Sequence, residues 1–277
     1  LISFMIRKGK KSMFREVKHK IGVWVMCLTM SLKSQFQYRS SFVLKCFVMF
    51  ITYFCEYIST LFLISKVSDI NKWSKYEIML IYGMATVAYA MSRLMLCGIN
   101  NIPRQLKNGK FLMKLIRPES DLFCAMIEEI PVDRLGQVLL GLLIIIYSCV
   151  RNFSSTSIFW LVVFLATGTV IYSAIFIITA SVSFWIINSR ELLGIFTHGT
   201  LRAIVYPITI YSRILQEIFT YLVPVAFISY YPAIVILNKE GDHTVIKLVI
   251  FLVVALMWGI AKLAWTMGIK KYEGAGG

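Results

Sequence analysis

Six stretches of this chain stay apolar for about as long as a helix needs to cross a bilayer, roughly 20 residues. They run Ser41–Ile64, Glu77–Gly98, Asp133–Val150, Ile158–Ile187, Leu192–Tyr211 and Thr244–Met267. They are too long, and too rich in Leu, Met and Phe between charged loops, to be barrel strands. Their interiors hold little proline, which suits helices. Composition agrees: 58% of the chain is apolar and 16% charged, against about 45–50% and 25% in soluble domains. A soluble core cannot bury that excess, and a disordered chain would be poor in aromatic and β-branched residues. The expected fold is an all-α integral membrane protein, a single transmembrane domain over residues 1–277 with six transmembrane helices.

Charge sets the expected orientation. Lys and Arg number 29 against 14 Asp and Glu, a formal net charge of +15. In a membrane protein such an excess belongs to cytoplasmic loops beside anionic lipid rather than to a nucleic-acid surface. Arg7, Lys8, Lys10, Lys11, Arg15, Lys18, Lys20, Lys33 and Arg39 precede the first span. Arg104, Lys107, Lys110, Lys114 and Arg117 follow the second, Arg190 and Arg202 are assigned to the loop after the fourth, and Lys270 and Lys271 follow the last. With six spans all of these share one side. Lys66, Lys72, Lys75, Arg151 and Lys239 fall on the other. Both termini are therefore expected in the cytoplasm of a cell membrane. The first twenty residues lack the apolar core of a cleavable signal, and Leu1 in place of an initiator Met carries no inference.

Two segments do not fit as straight spans. Phe14, Val17, Ile21, Trp24, Leu28 and Leu32 recur at helical spacing beside Arg15, Glu16, Lys18, His19 and Lys20. That pattern predicts an amphipathic helix over 13–38 lying in the interface, with Trp24 at headgroup depth; the competing reading is a poorly formed extra span. Residues 206–238 are apolar but interrupted by Pro207, Pro224 and Pro232, with Arg213, Gln216 and Glu217 in the middle. Each proline removes a donor and disfavours helix before it. Two short helices that dip into the outer leaflet and return accommodate this, provided the broken backbone is buried in protein. The alternative, an extra span through Tyr221–Leu237, breaks the positive-inside assignment of the C-terminus.

The loop 99–120 reads INNIPRQLKNGKFLMKLIRPES. Asn101 can cap a short helix with Ile102 and Pro103 in its first turn, and Gly109 suits a left-handed stop after Asn108. Ile102, Leu106 and Phe111 then form an apolar face and Arg104, Lys107 and Lys110 a basic one. Two readings stand open: a transverse docking helix, or a solvated basic loop with a structural glycine.

Ionisable residues in or near the spans are Lys45, Glu56, Glu77, Arg93, Glu128, Glu129, Asp133 and Arg134. Lys45, Arg93, Asp133 and Arg134 lie close enough to the cytoplasmic end to snorkel. Glu77 lies at the outer end of the second span, and Glu128, Glu129 and Asp133 surround Pro131 in an expected kinked interfacial helix. Only Glu56 is deep. It is a candidate path or bundle residue, making a hydrogen bond or ion pair within the bundle or touching a substrate.

Familiar enzyme chemistry is missing. The chain has no GxxxxGK[ST] phosphate loop, no HExxH and no GxSxG, and His19, His198 and His243 are far apart. The expectation is a protein without a catalytic, cofactor or metal site of its own. Cys27, Cys46, Cys55, Cys97, Cys124 and Cys149 are scattered singly and read as small apolar side chains. Asn152-Phe153-Ser154 matches a glycosylation sequon on the outer side.

In order, the chain has an amphipathic N-terminal helix, six spans, a basic cytoplasmic helix after the second and a proline-broken segment before the sixth. It resembles the membrane subunit of an ABC type-2 exporter, in a prokaryotic branch of about this length. The resemblance rests on Gly109 and Leu115-Ile116-Arg117-Pro118, on Val223-Pro224-Val225-Ala226 and Tyr231-Pro232-Ala233, and on a tail from Gly268 through Tyr272 to Gly276. It implies a second permease, identical or related, and two cytoplasmic ABC ATPase subunits that carry ATP and Mg. It makes Asn101, Pro103, Arg104, Leu106, Lys107, Gly109 and Lys110 the coupling helix, with Arg117 and Pro118 a cytoplasmic motif. Spans two and five would line the path, and Pro207, Pro224, Tyr231 and Pro232 the outer gate. The expected function is ATP-driven export of an amphipathic or lipid-like substrate such as a drug, lipid or antimicrobial peptide. An ion-coupled secondary transporter or a membrane-embedded assembly factor is the competing class.

Overall fold

The computed structural model describes residues 39–66, 73–116, 120–126, 131, 134–152, 156–186, 190–239 and 241–272, preceded by 19, 22–27, 29–30, 33–34 and 37. No strand occurs among them. In chain order the main elements are α1 (Arg39–Lys66), α2 (Lys75–Met95), α3 (Ile102–Lys107), α4 (Arg134–Asn152) and α5 (Thr156–Ser181). There follow α6 (190–204, with a π-helical turn at Ile195–Gly199) and α7 (Arg213–Leu222, π-helical from Ile218). The chain closes with α8 (Ala226–Ile236) and α9 (His243–Lys271).

Among the described residues five helices, α1, α2, α4, α5 and α9, are long and apolar enough to cross a membrane; α7 and α8 would make a sixth if read as one span, but they meet at 99°. This is the all-α integral membrane fold the hydropathy predicts. The first helix ends are chemically marked. Ser74 and Glu77 form a reciprocal capping box at the start of α2. The Asp242 carboxylate accepts from the Thr244 and Val245 amides at the start of α9, and Lys270 and Lys271 oppose the dipole at its end.

α2 is the core. Its most apolar window is 78% buried, whereas that of α1 is 6% buried, so α2 is enclosed by protein while α1 lies at the margin. A helix enclosed in this way is apolar all round, and Ile78–Ala90 is buried without a break. With lipid as solvent, close packing rather than hydrophobicity holds helices together. A Cβ on Gly83 would lie 2.6 Å from Ile145 Cγ1 and 3.1 Å from the Gly141 carbonyl, so α2 and α4 touch through their backbones. Gly136 meets the Cys46 carbonyl of α1 in the same way. Hydroxyls add cross-ties: Ser148 Oγ donates to the Tyr76 carbonyl at 2.7 Å and Tyr82 to the Tyr53 carbonyl at 3.0 Å.

The bundle has two ends. Trp73, Ser74 and Asp242 mark one, hereafter the Glu77 end; Leu96, Arg134 and Lys271 mark the other, the Leu96 end. Contacts along the proline-broken segment trace its course between these ends. Tyr206 reaches Thr60 in the Glu77 half. Leu222 and Val223, at the bend, share a cavity with Ile178, Val182 and Met257 toward the Leu96 half. Ile228 packs on Gly168 at mid-depth of α5, and Lys239 ends at Glu77. The chain thus dips and returns to the end it left.

Several expectations need correction. Leu192–Tyr211 is not one straight helix: α6 widens into a π turn, ends before Pro207, and a 3₁₀ turn Ile208–Ile210 follows. Not every proline breaks a helix, since Pro232 lies inside α8. Arg134 does not snorkel but is buried, donating to Tyr53 Oη at 3.3 Å and to Gln137 Oε1 at 3.2 Å. No two cysteines form a disulfide, and Cys97 and Cys124 are buried, but Cys55 is exposed. Of the N-terminal stripe, Trp24 is helical and half-buried; Phe14, Val17, Ile21, Leu28 and Leu32 lie outside the described residues, as do Glu128, Glu129, Asp133 and the Phe153-Ser154 half of the sequon.

Candidate functional site

At the Leu96 end the chain leaves α2 through a 3₁₀ turn, Ile99–Asn101, and runs straight into α3. Asn101 already has helical angles and makes no side-chain cap, because the 3₁₀ turn supplies the entry instead: the Ile102 amide donates to the Ile99 carbonyl. Pro103 occupies the first turn, where its missing N–H is harmless. The stop is as the sequence predicts. Gly109 takes φ +68°, and its amide donates to the Leu106 carbonyl.

α3 is amphipathic, but its apolar face is spent on the bundle itself. Ile99, Ile102 and Pro103 are buried and Leu106 is half-buried against the core. Phe111 is fully buried in an aromatic cage, its ring 5.4 Å from Phe184, 6.2 Å from Trp265 and 5.5 Å from Tyr272. Gly268 lets the cage close, since a Cβ there would collide with the Phe184 ring. The Gly268-to-Tyr272 part of the tail motif thus has a packing role; residues 273–277, like Arg117 and Pro118, lie outside the described residues. Arg104, Lys107 and Lys110 face outward. Beside them Met113 is 71% and Ile116 82% exposed, an apolar pair at the end of the bundle rather than along its sides. Leu106 therefore holds the helix in place and the basic residues form its free face.

A second constellation lies halfway up. Glu56 Oε1 and Arg202 Nη2 are 3.2 Å apart across a cleft of about 350 Å³ lined by Tyr53, Thr60, Tyr82 and Tyr206 among others. The cleft joins α1, α2 and α6. Glu56 thus has the ion-pair partner that the sequence leaves open, and Arg202 is not in a loop: it is a helical residue of α6. The pair faces out of the chain, the side chains being 38% and 77% exposed. Above the Leu96 half, Tyr89 Oη lies 2.9 Å from His198 Nδ1, linking α2 to the π turn of α6.

The third element is the bent pair. Pro207 and Pro224 are buried and end helices, and Tyr231 stacks on Phe227 at 4.5 Å. The returning helix is pinned at the Glu77 end. Lys239 Nζ lies 2.8 Å from Glu77 Oε2 and 4.0 Å above the Trp73 ring, and Trp73 packs on Tyr230. Lys239 follows Asn238, which takes φ +51°.

A family model described as ABC-2 family transporter protein matches residues 50–276. The chain belongs to the ABC-2 transporter family. No curated protein and no solved structure matches it. An ABC-2 protein of this kind is a membrane-embedded permease of an ABC transporter, and its family partner is an ABC ATPase. The match takes in α3, the Glu56–Arg202 cleft and the bent pair together.

The sequence brings α3, Gly109 and the proline segment to light because each is local. It misses Arg202 and Lys239 as partners. The available signal for Arg202 is a lone cation within the apolar run 192–211, opposite in sign to the lone deep anion Glu56.

Proposed function

We propose that this chain is the permease subunit of an ATP-driven exporter. It pairs with a second permease, the same chain or a relative, and with two cytoplasmic ATPase subunits that hold ATP and Mg. The Leu96 end, with both termini, faces the cytoplasm. Arg104, Lys107 and Lys110 with Met113 and Ile116 contact the ATPase, while Asn101, Pro103, Leu106 and Gly109 shape the element they stand on. The observation that carries this reading is the anchoring of α3: its apolar face is locked to the ends of α5 and α9 by the Phe111 cage, so a displacement of its basic face moves those helices.

ATP binding closes the ATPase dimer and favours the permease conformation that the closed dimer fits; the shift is as large as that difference in affinity. The Glu56–Arg202 cleft, polar within apolar walls and open at the side of the chain, belongs to the path between permeases. It suits a substrate with a polar or charged group on an apolar body, a lipid, drug or amphipathic peptide. The proline-bent pair α7–α8, with Pro207, Pro224, Tyr231 and Pro232, closes the outer end.

The test is co-purification followed by substrate-stimulated ATPase activity of the complex in vesicles. Arg104→Glu with Lys107→Glu is expected to release the ATPase or abolish stimulation while the permease keeps its helical content. Normal coupling in that variant, or transport by the permease alone, overturns the reading.

A further inference from the structure

A cavity remote from the Glu56–Arg202 cleft lies at the side of the bundle. It has about 930 Å³, within the range of roughly 300–1,000 Å³ typical of ligand pockets, and lies between the N-terminal helix, α2, α5 and α9. Trp24, Met126, Val170, Ser173, Ala255 and Trp258 are among its walls. Of the polar side-chain atoms among these residues, Ser173 Oγ already donates to the Thr169 carbonyl at 2.8 Å, and the others are the indole N–H groups of Trp24 and Trp258. Water needs two to four polar partners to settle in a cavity, so walls that are otherwise apolar suit hydrocarbon better. The space opens at the side of the bundle toward the Leu96 end, within the depth that α9 spans, where hydrocarbon is the solvent.

One charge marks the mouth. Ala255, Trp258 and Lys262 follow one another at spacings of three and four on α9, so Lys262 lies on the same helix face as the cavity wall, one turn nearer the Leu96 end. It is exposed, and no described acidic residue pairs with it. A lysine at this depth is costly unless its stem runs along apolar surface to an anion or water. Trp24 also lines the cavity, and an interfacial helix would hold it at the level where headgroups begin.

We propose that this cavity binds an acyl chain of an anionic phospholipid from the leaflet at the Leu96 end, with Lys262 on its phosphate. The apolar walls take the chain, Trp24 and Trp258 flank its upper part, and the ammonium selects headgroup charge. The site requires only that the chain be membrane-embedded, so it stands or falls separately from the export reading.

The test uses the full chain in phosphatidylcholine vesicles doped with phosphatidylglycerol or phosphatidylcholine brominated on the acyl chain. The Trp258 signal is the difference between the parent protein and Trp258→Phe. Half-quenching is expected at about fivefold less brominated phosphatidylglycerol than brominated phosphatidylcholine, the preference one lysine confers near anionic lipid. Lys262→Gln should abolish that preference, and Ala255→Leu, which fills the cavity, should reduce quenching by both lipids. Circular dichroism of each variant reports that the helices are retained; a variant that loses them is replaced by Lys262→Met or Ala255→Val. Equal quenching by the two lipids in the parent protein overturns the phosphate contact. Quenching unchanged by the cavity-filling variant shows that Trp258 meets only bulk lipid and overturns the site.

Discussion

Removing Lys239 should loosen the return of the bent pair, and the size of the effect can be worked from its surroundings. The Nζ–Oε2 distance to Glu77 is 2.8 Å and the two side chains are 22% and 18% exposed. At an effective dielectric constant of about 20, the attraction at this distance is about 6 kcal/mol gross. Desolvating both ions consumes several kcal/mol of that. What survives is about 1–3 kcal/mol of coupling, above the ~0.2–1 kcal/mol of exposed pairs. The Trp73 ring 4.0 Å away adds about 0.5–1 kcal/mol to Lys239 but nothing to the pair term. Lys239→Met should therefore cost about 2–4 kcal/mol, and Glu77→Gln somewhat less because its amide keeps a donor and acceptor for the capping box. The double variant should cost about 1–3 kcal/mol less than the sum. The assay is equilibrium unfolding in mixed micelles, run as a double-mutant cycle with Lys239→Arg as the conservative control. Coupling below about 0.5 kcal/mol would refute the reasoning, since the pair would then behave as a solvated surface contact.

Three further outcomes follow from the packing. Gly83→Ala should destabilise by about 1–3 kcal/mol through overpacking of α2 on α4, and adding Ile145→Val should recover part of it, because the nearest obstacle is the Ile145 side chain at 2.6 Å; the same unfolding assay reads both. Gly109→Ala places a Cβ at φ +68°, at a cost of about 1–2 kcal/mol, and should weaken binding of the ATPase partner several-fold while Gly109→Asn keeps it; a pull-down titration distinguishes them. Glu56→Gln should change stability by less than about 1 kcal/mol, because Arg202 is 77% exposed, yet alter transport, and the exchange Glu56→Arg with Arg202→Glu should restore transport in vesicles.

What the sequence displays is what neighbouring residues decide. The apolar runs locate α1, α2, α4, α5 and α9 within a few residues, and Gly109 announces its left-handed stop because only the local backbone requires it. The amphipathic pattern of 99–116 is equally visible, but its two faces do not say which one the chain keeps for itself. Burial of Phe111 is decided by Phe184, Trp265 and Tyr272, far along the chain. The Glu56–Arg202 contact joins residues 146 apart in sequence; a hydropathy window sees Arg202 only as an interruption and assigns it to a loop. Pro232 misleads for a related reason. A proline forfeits one bond wherever it sits, and whether a helix survives depends on neighbours such as α5, which approaches the Ile228 carbonyl at Gly168.

The placement of stiff and soft parts has a mechanical consequence. α2, α4 and α5 meet through glycines and small residues, and the aromatic cage ties α3 to the ends of α5 and α9, so these elements are packed as one block. The wide turns lie elsewhere: one π turn interrupts α6 beside the Glu56–Arg202 cleft, and another forms the second half of α7 just before Pro224. π turns are the weak points of helices and recur at functional sites. In α6 the Thr197 and Thr200 hydroxyls donate back to the Leu193 and Phe196 carbonyls at 2.6 Å each, a bond that loosens the helical ladder further. In the proposed export cycle, a force entering at Arg104 would therefore be carried by this packed block. It would meet compliance first where α6 and α7 border the cleft and the bent pair, which the proposed cycle assigns to the path and the outer gate.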